Sequence, residues 1–300
     1  MLRTFRQLRR PGGCVSLVTR SGVRRGVTMT EVLVVIGIIA LLIGILLPAV
    51  QYARESARMS DCRNRIRQIA TAMSLHETQQ GTYPRSVFRD SMLPFLEQVA
   101  DVKQVALFAC PSDSGNANGD FTVGRVSYAI NAGLGSGDMA HAGVAPSNRG
   151  RLRSRDVLDG LSNTAMVGER LSFPSYAPQG VAWNEVPQDW KRTYQFYIRK
   201  PASIADFAVV CSQEIVRPLG TWYITDKYHH LLPPNSVSCV LTTESGAIGT
   251  GPYSSAGAAG SVHSGGTHVA YCDGSVHFFS SHTDITVWRA IGTIQGGETF

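Results

Sequence analysis

Hydrophobic and polar positions divide the chain into a run and a mosaic. Residues 32–53 carry no charge, and the first sixteen, "VLVVIGIIALLIGILL", are apolar or glycine. A helix rises 1.5 Å per residue, so about 20 such residues cross a ~30 Å hydrocarbon core. The run therefore predicts a membrane span. It is longer than a secretory h-region, and no small-residue cleavage site follows it before "QYARESARMSDC". After Pro48 the pattern changes. Ile66, Ile69, Ala70 and Met73 recur at helical spacing, with no proline or glycine until Gly81. This predicts one helix with a stripe that packs on a globular head. Arg54, Glu55, Arg58, Asp61, Arg63, Arg65 and Arg67 surround the stripe, and the interspersed acids read as a solvated face. Gly81 and Pro84 in "GTYP" end the helix.

Residues 85–300 read as one irregular α+β head. "RVSYAI" is a short strand, and "RSRDVLDGLSNTAMVGERLS" is a turn at Asp159 and Gly160 followed by a buried strand over 164–167. "ASIADFAVVCSQ" is apolar and suits a strand or a short helix. "TESGAIGTGPYSSAGAAGSVHSGG" is rich in Gly, Ser and Ala and predicts a mobile surface loop. "THVAYCDGSVHFFS" predicts a hairpin closed by Asp273-Gly274 in a type I′ turn. That turn pairs Cys272 with Ser275, Tyr271 with Val276, Ala270 with His277 and Val269 with Phe278. Val269, Tyr271, Val276 and Phe278 then share the core face, and His268, Cys272 and His277 share the other.

That second face makes His268, His277 and Cys272 weak candidates for a metal site, the histidines about 7–8 Å apart across the strands. Zinc takes three or four such ligands. Neither C-x-x-C nor H-E-x-x-H is present, so no metal and no cofactor are expected. Ser264 or Cys272 with His268 and Asp284 can be arranged on paper into a hydrolase. Without a G-x-S-x-G or cysteine-protease signature, the expectation is that the chain is not an enzyme.

Charge changes the picture through its distribution. The net charge is +6, but residues 1–26 hold seven arginines and no acid. Without those seven, 21 Lys plus Arg face 22 Asp plus Glu, a net charge of −1. A neutral body offers no surface for a phosphate backbone, so no nucleic-acid partner is expected. A basic front before a span stays cytoplasmic. This predicts a single-pass protein of the cytoplasmic membrane with an extracytoplasmic head.

The junction is more specific. Gly26 precedes an uncharged "VTMT", then Glu31, then the apolar run. A glutamate carried deep into the membrane costs about 2.5 kcal/mol or more and calls for a partner. A free α-amino group made by cleavage after Gly26 is positively charged near neutral pH and is such a partner. This arrangement resembles the class III signal of type IV pilins and of the pseudopilins of type II secretion. The match runs through Arg24, Arg25, Gly26, Val27, Thr28, Met29, Thr30 and Glu31, with Pro48 where many pilins carry a kinking proline. Val27 departs from the usual Phe or Met, and the leader is longer than in many pilins.

The resemblance implies cleavage between Gly26 and Val27 by a prepilin peptidase, with methylation of the new amino terminus. It implies a removed leader over 1–26, a transmembrane and stalk helix over 27–80, and a head over 81–300. The fold implied is α+β and pilin-like, a long N-terminal helix packed on a largely antiparallel β head with long Gly-rich loops. His263, nine residues, then Asp273 and Gly274 resembles the H-x9-DG motif of a large bacterial family of pilin-like proteins whose head is a domain of unknown function. "CPSD" at 110–113, "YAINAG" at 128–133 and "LDGLSNTAMVGER" at 158–170 resemble that family's internal blocks. The physical expectation for the motif is a hydrogen bond from His263 to the Asp273 turn.

Cys14 leaves with such a leader, so Cys62, Cys110, Cys211, Cys239 and Cys272 remain, an odd number. Extracytoplasmic thiols tend to pair. Spacing does not determine connectivity. The expected pairs are Cys62–Cys110, tying the stalk to the first head loop, and Cys211–Cys239, with Cys272 left over. The leading function is a structural subunit that assembles with other pilin-like subunits through its N-terminal helix, in a type II secretion or type IV pilus-like filament. The alternative is a membrane-tethered extracytoplasmic binding module, which is processed but forms no filament. A surface enzyme or metal protein ranks third.

Overall fold

A computed structural model of the chain describes residues 26, 28–85, 90–96, 106–113, 126–135, 139–146, 150–171, 194–197, 202–213, 226–236, 238–241 and 255–297. The basic front up to Arg25 and Val27 lie outside the described residues. The chain divides into two units, Met1–Gln51 and Tyr52–Phe300.

One helix, α1 (Met29–Gln80), contains the whole apolar run and the amphipathic segment after it, with Pro48 inside. It is long and apolar enough to cross a membrane. Residues 28–54 are all exposed. Burial starts at Cys62 and recurs at Ile66, Ile69, Ala70, Met73 and His76, one stripe of the helix. The helix stops where Gly81 turns to φ +70°, its N–H still reaching Glu77 O at 2.7 Å. That left-handed conformation suits glycine as a helix terminator.

The head contains two sheets. The larger comprises β1 (Tyr128–Asn131), β2 (Ala165–Glu169), β4 (Lys227–Tyr228), β7 (Gly266–Tyr271) and β8 (Val276–Ser280), in the order β4-β1-β2-β7-β8. All its pairs are antiparallel except β1 with β4. The smaller orders β3 (Tyr194–Tyr197), β5 (Ser238–Leu241) and β6 (Ser255–Ala256), with β3 and β5 parallel. The architecture is α+β: a long N-terminal helix and a largely antiparallel head. The apolar segment left open between strand and helix is a helix, α2 (Ile204–Gln213).

Both faces of β1, β2 and β7 in the larger sheet are covered. The α1 stripe packs with Tyr128, Ile130, Val167, Ala270, Cys272 and Val276 on one face. Ala129, Ala165, Val269 and Tyr271 point the other way, toward Trp288 of α3 (Ile285–Ala290) and Ile291. Residues adjacent along β1 and β7 thus enter opposite cores, as the two-residue period of a strand requires. Each large apolar side chain so buried contributes about 1.5–3 kcal/mol.

The loop geometry gives a correction at the hairpin. Ala270 pairs with Val276, Val269 with His277 and His268 with Phe278, one residue away from the expected register. The loop has three residues, Cys272, Asp273 and Gly274, with Gly274 at φ +84°. Tyr271 N–H donates to Ser275 O at 2.8 Å and Gly274 N–H to Tyr271 O at 3.0 Å. A type I′ turn needs positive φ at Asp273, and Asn235 is the one non-glycine with positive φ among the described residues. The slip flips β8, so Val276 and Phe278 lie on the face of His268 and Cys272, and His277 lies with Val269 and Tyr271. In this register Val276 is buried, whereas Phe278, expected on the core face, stays 45% exposed.

The glycine-rich linker is also corrected. Residues 256–261 are buried, with Gly260 N–H on Glu169 O at 2.9 Å and Ser261 N–H on Asn235 Oδ1 at 2.8 Å. Small side chains let this backbone lie against the sheet rather than loop through solvent. The linker's first part, 243–254, lies outside the described residues.

Candidate functional site

At the junction, Gly26 is exposed and Thr28 starts the helix. The Thr28 hydroxyl accepts Glu31 N–H at 3.3 Å, and Thr28 N–H donates to Glu31 Oε2 at 2.8 Å. The Thr28 hydroxyl also donates to that carboxylate at 2.8 Å. This is a capping box, which satisfies backbone N–H groups that a helix start leaves bare. The T-x-x-E spacing in the sequence carries the signal for it, and Glu31 is hydrogen-bonded within its own first turn. Val27, the other residue of the expected cleavage site, lies outside the described residues.

The densest chemistry in the head surrounds a cystine. Cys62 of α1 is bonded to Cys110, with Cα atoms 5.4 Å apart. His263 is buried against it: Nε2 lies 3.4 Å from Cys110 Sγ and Nδ1 2.8 Å from Glu55 Oε1. Ser112 Oγ donates to the same carboxylate, 3.2 Å from each oxygen. Arg65 holds the adjoining loop by donating to Ala109 O at 2.8 Å, while its guanidinium pairs with Asp61 at 2.9 Å. Asp113, the last residue of the "CPSD" block, accepts from Ser127 Oγ at 3.1 Å. Three separated segments thus meet at Glu55, which the sequence placed on a solvated face. No local pattern marks that residue.

The expected bond from His263 to the Asp273 turn is not formed. Asp273 Oδ1 instead accepts Ser275 N–H at 2.8 Å within its own loop. His263 and the Asp273-Gly274 pair therefore do separate work: His263 fastens the linker to α1, and Asp273 with Gly274 closes the hairpin.

His268, His277 and Cys272 do not converge as a ligand set. His268 is buried and faces Glu169, with its backbone N–H on Oε2 at 2.9 Å and Nδ1 3.2 Å from Oε1. Its ring lies edge-on to Phe278, centroids 5.1 Å apart. His277 is on the opposite face, its ring 4.8 Å from that of Tyr271. Cys272 is a free, buried thiol, pushed up to about 12 by desolvation. Asp284 caps α3 by accepting Thr286 N–H at 2.8 Å, and hydrogen bonds from the Thr286 hydroxyl and then from backbone hold its carboxyl below the usual range. It does not orient His268. The second cystine joins Cys211 of α2 to Cys239 of β5, Cα atoms 5.7 Å apart.

Helix and head together define a class of protein: an α+β head carried on one N-terminal helix fit to anchor it in a membrane. Comparison with known families matches residues 51–101 and 95–286 to the family described as a protein of unknown function (DUF1559). The chain belongs to that family. No curated protein and no solved structure matches it.

Proposed function

We propose that this chain is a pilin-like structural subunit, not an enzyme. A prepilin peptidase removes residues 1–26 and methylates Val27, and the apolar half of α1 then packs with the helices of other pilin-like subunits. The head lies outside the cytoplasmic membrane, in a type II secretion or type IV pilus-like filament. The observation that supports this most is α1 itself. Its first half exposes an unbroken apolar surface from Val32 to Val50, and its second half is a core element of the head. A surface of that extent needs lipid or partner helices around it. The neutral body supports a partner list of peptidase, membrane and sister subunits, without nucleic acid.

The test is the intact mass and N-terminal residue of the membrane-associated protein from its native cell. A chain beginning at N-methylated Val27 is expected. A chain that retains its seven front arginines overturns the proposal. Processing without any filament, by cross-linking or microscopy, leaves a membrane-tethered binding module in its place.

A further inference from the structure

With its ring neutral, His263 faces the cystine with no hydrogen to accept. The Glu55 carboxylate beside Nδ1 accepts hydrogen bonds only, so in the neutral ring Nδ1 carries the hydrogen. Nε2 is then a lone pair, and it faces Cys110 Sγ at 3.4 Å. A sulfur in a disulfide has no hydrogen to donate. Burying an acceptor without a donor is costly, and His263 is 2% exposed. A thiol at Cys110 supplies the missing hydrogen, and a cation bound beside the sulfurs takes the Nε2 lone pair instead.

The Sγ atoms of Cys62 and Cys110 and a His263 ring nitrogen all lie within 4.8 Å of one another, and all three residues are buried. Around zinc, with Zn–S near 2.3 Å and Zn–N near 2.0–2.1 Å, such atoms sit about 3.5–3.8 Å apart. Two thiolates and one imidazole are a zinc-type donor set, and a carboxylate on the far nitrogen of the imidazole is the usual support for it. Glu55 occupies that supporting position, steadied by Ser112. The donors come from α1, the 110 loop and the 263 loop, held together by contacts that do not depend on the disulfide, including Arg65 to Ala109 O.

We infer that the reduced pair Cys62 and Cys110, with His263 Nε2, forms a binding site for a zinc-class divalent cation, and that Glu55 positions the imidazole. Disulfide and cation are alternative states of one site. A dithiol reductant passes two electrons and two protons to the disulfide, leaving two thiols here and a disulfide on the reductant. Cation binding then releases both thiol protons and forms two sulfur–metal bonds and one nitrogen–metal bond. A disulfide oxidant reverses this by taking two electrons from the thiolates and two protons from solvent, and the cation departs. The site is independent of the membrane assembly proposed above.

The experiment uses the full chain in detergent, reduced with dithiothreitol, freed of reductant without air, and titrated with cobalt(II). One cobalt per chain is expected, with a thiolate-to-cobalt charge-transfer band and the visible bands of tetrahedral cobalt, all bleached by zinc. The oxidised chain shows none of them. Glu55→Gln, which leaves both cysteines in place, weakens binding about 10–100-fold. Cys62→Ser with Cys110→Ser removes the bands although Cys14, Cys211, Cys239 and Cys272 remain. Absence of the bands in the reduced chain overturns the assignment, as does their persistence in the double serine variant. An unchanged affinity in Glu55→Gln overturns the positioning role. A head that loses its near-ultraviolet circular dichroism on reduction, and does not regain it with cobalt, overturns the site as a whole.

Discussion

At Glu31, the carboxylate that a neighbouring subunit's ammonium would approach already accepts the N–H and hydroxyl of Thr28, each at 2.8 Å. Capping and intersubunit pairing make different demands on this side chain. A capping box accepts glutamine in place of glutamate, because it uses hydrogen-bond acceptors. Pairing with an ammonium needs the charge. Glu31→Gln should therefore keep the helix start and lose assembly, while Glu31→Ala loses assembly and weakens the helix start. Filament yield or subunit cross-linking, read beside membrane insertion of each variant, separates the two. Wild-type assembly by Glu31→Gln would show that Glu31 serves only as a cap.

Among the elements, the segment after β4 is tuned to neutral histidines. His230 Nδ1–H donates to Trp288 O at 2.7 Å, and Nε2 accepts from the Tyr228 hydroxyl at 3.0 Å. His229 Nδ1 accepts Gly257 N–H at 3.1 Å, so protonation there would set two hydrogens against each other. Burial, foremost, lowers His229 to about 4 and His230 to about 3 from an ordinary 6.5. Below pH 6.5 the unfolded chain then binds protons that the folded chain refuses, so stability falls with pH through the window from 6.5 down to about 4. The loss is on the order of 3 kcal/mol for His229 by pH 4. Denaturant titrations at a series of pH values should show that slope, and His229→Gln should reduce it by about half, His230 supplying the remainder. A wild-type stability level across this window would remove the account of these two side chains.

On the scale of the whole molecule, the boundary between membrane helix and head falls inside α1. Residues up to Gln51 form one unit, yet Ile66, Ile69, Ala70 and Met73 of the same helix belong to the head's core. A chain beginning at Tyr52 keeps that stripe and Cys62, and should unfold in one cooperative thermal transition. A chain beginning at Gly81 loses them. Each large core side chain removed costs roughly 2–5 kcal/mol, against a total stability of about 5–15 kcal/mol. It should lack native near-ultraviolet circular dichroism, and a folded head starting at Gly81 would contradict the core described here.

Much of this scale was legible in the residues. The uncharged run, the helical stripe, the glycine that stops the helix and the alternation along 267–280 are patterns within a few positions of one another, where periodicity and backbone chemistry act directly. An α+β head with a largely antiparallel sheet followed from them and from the resemblance they carry. Other features depend on what lies across the fold. The one-residue register of β8 follows from the three-residue loop that closes the hairpin, because alternation alone suits either pairing. The burial of 256–261 follows from an edge that small residues fit. Which cysteines meet, and that His263 meets Glu55 from 208 positions away instead of Asp273 ten positions on, is decided by three segments converging on α1. No local rule spans such a distance; only the packed chain brings those side chains together.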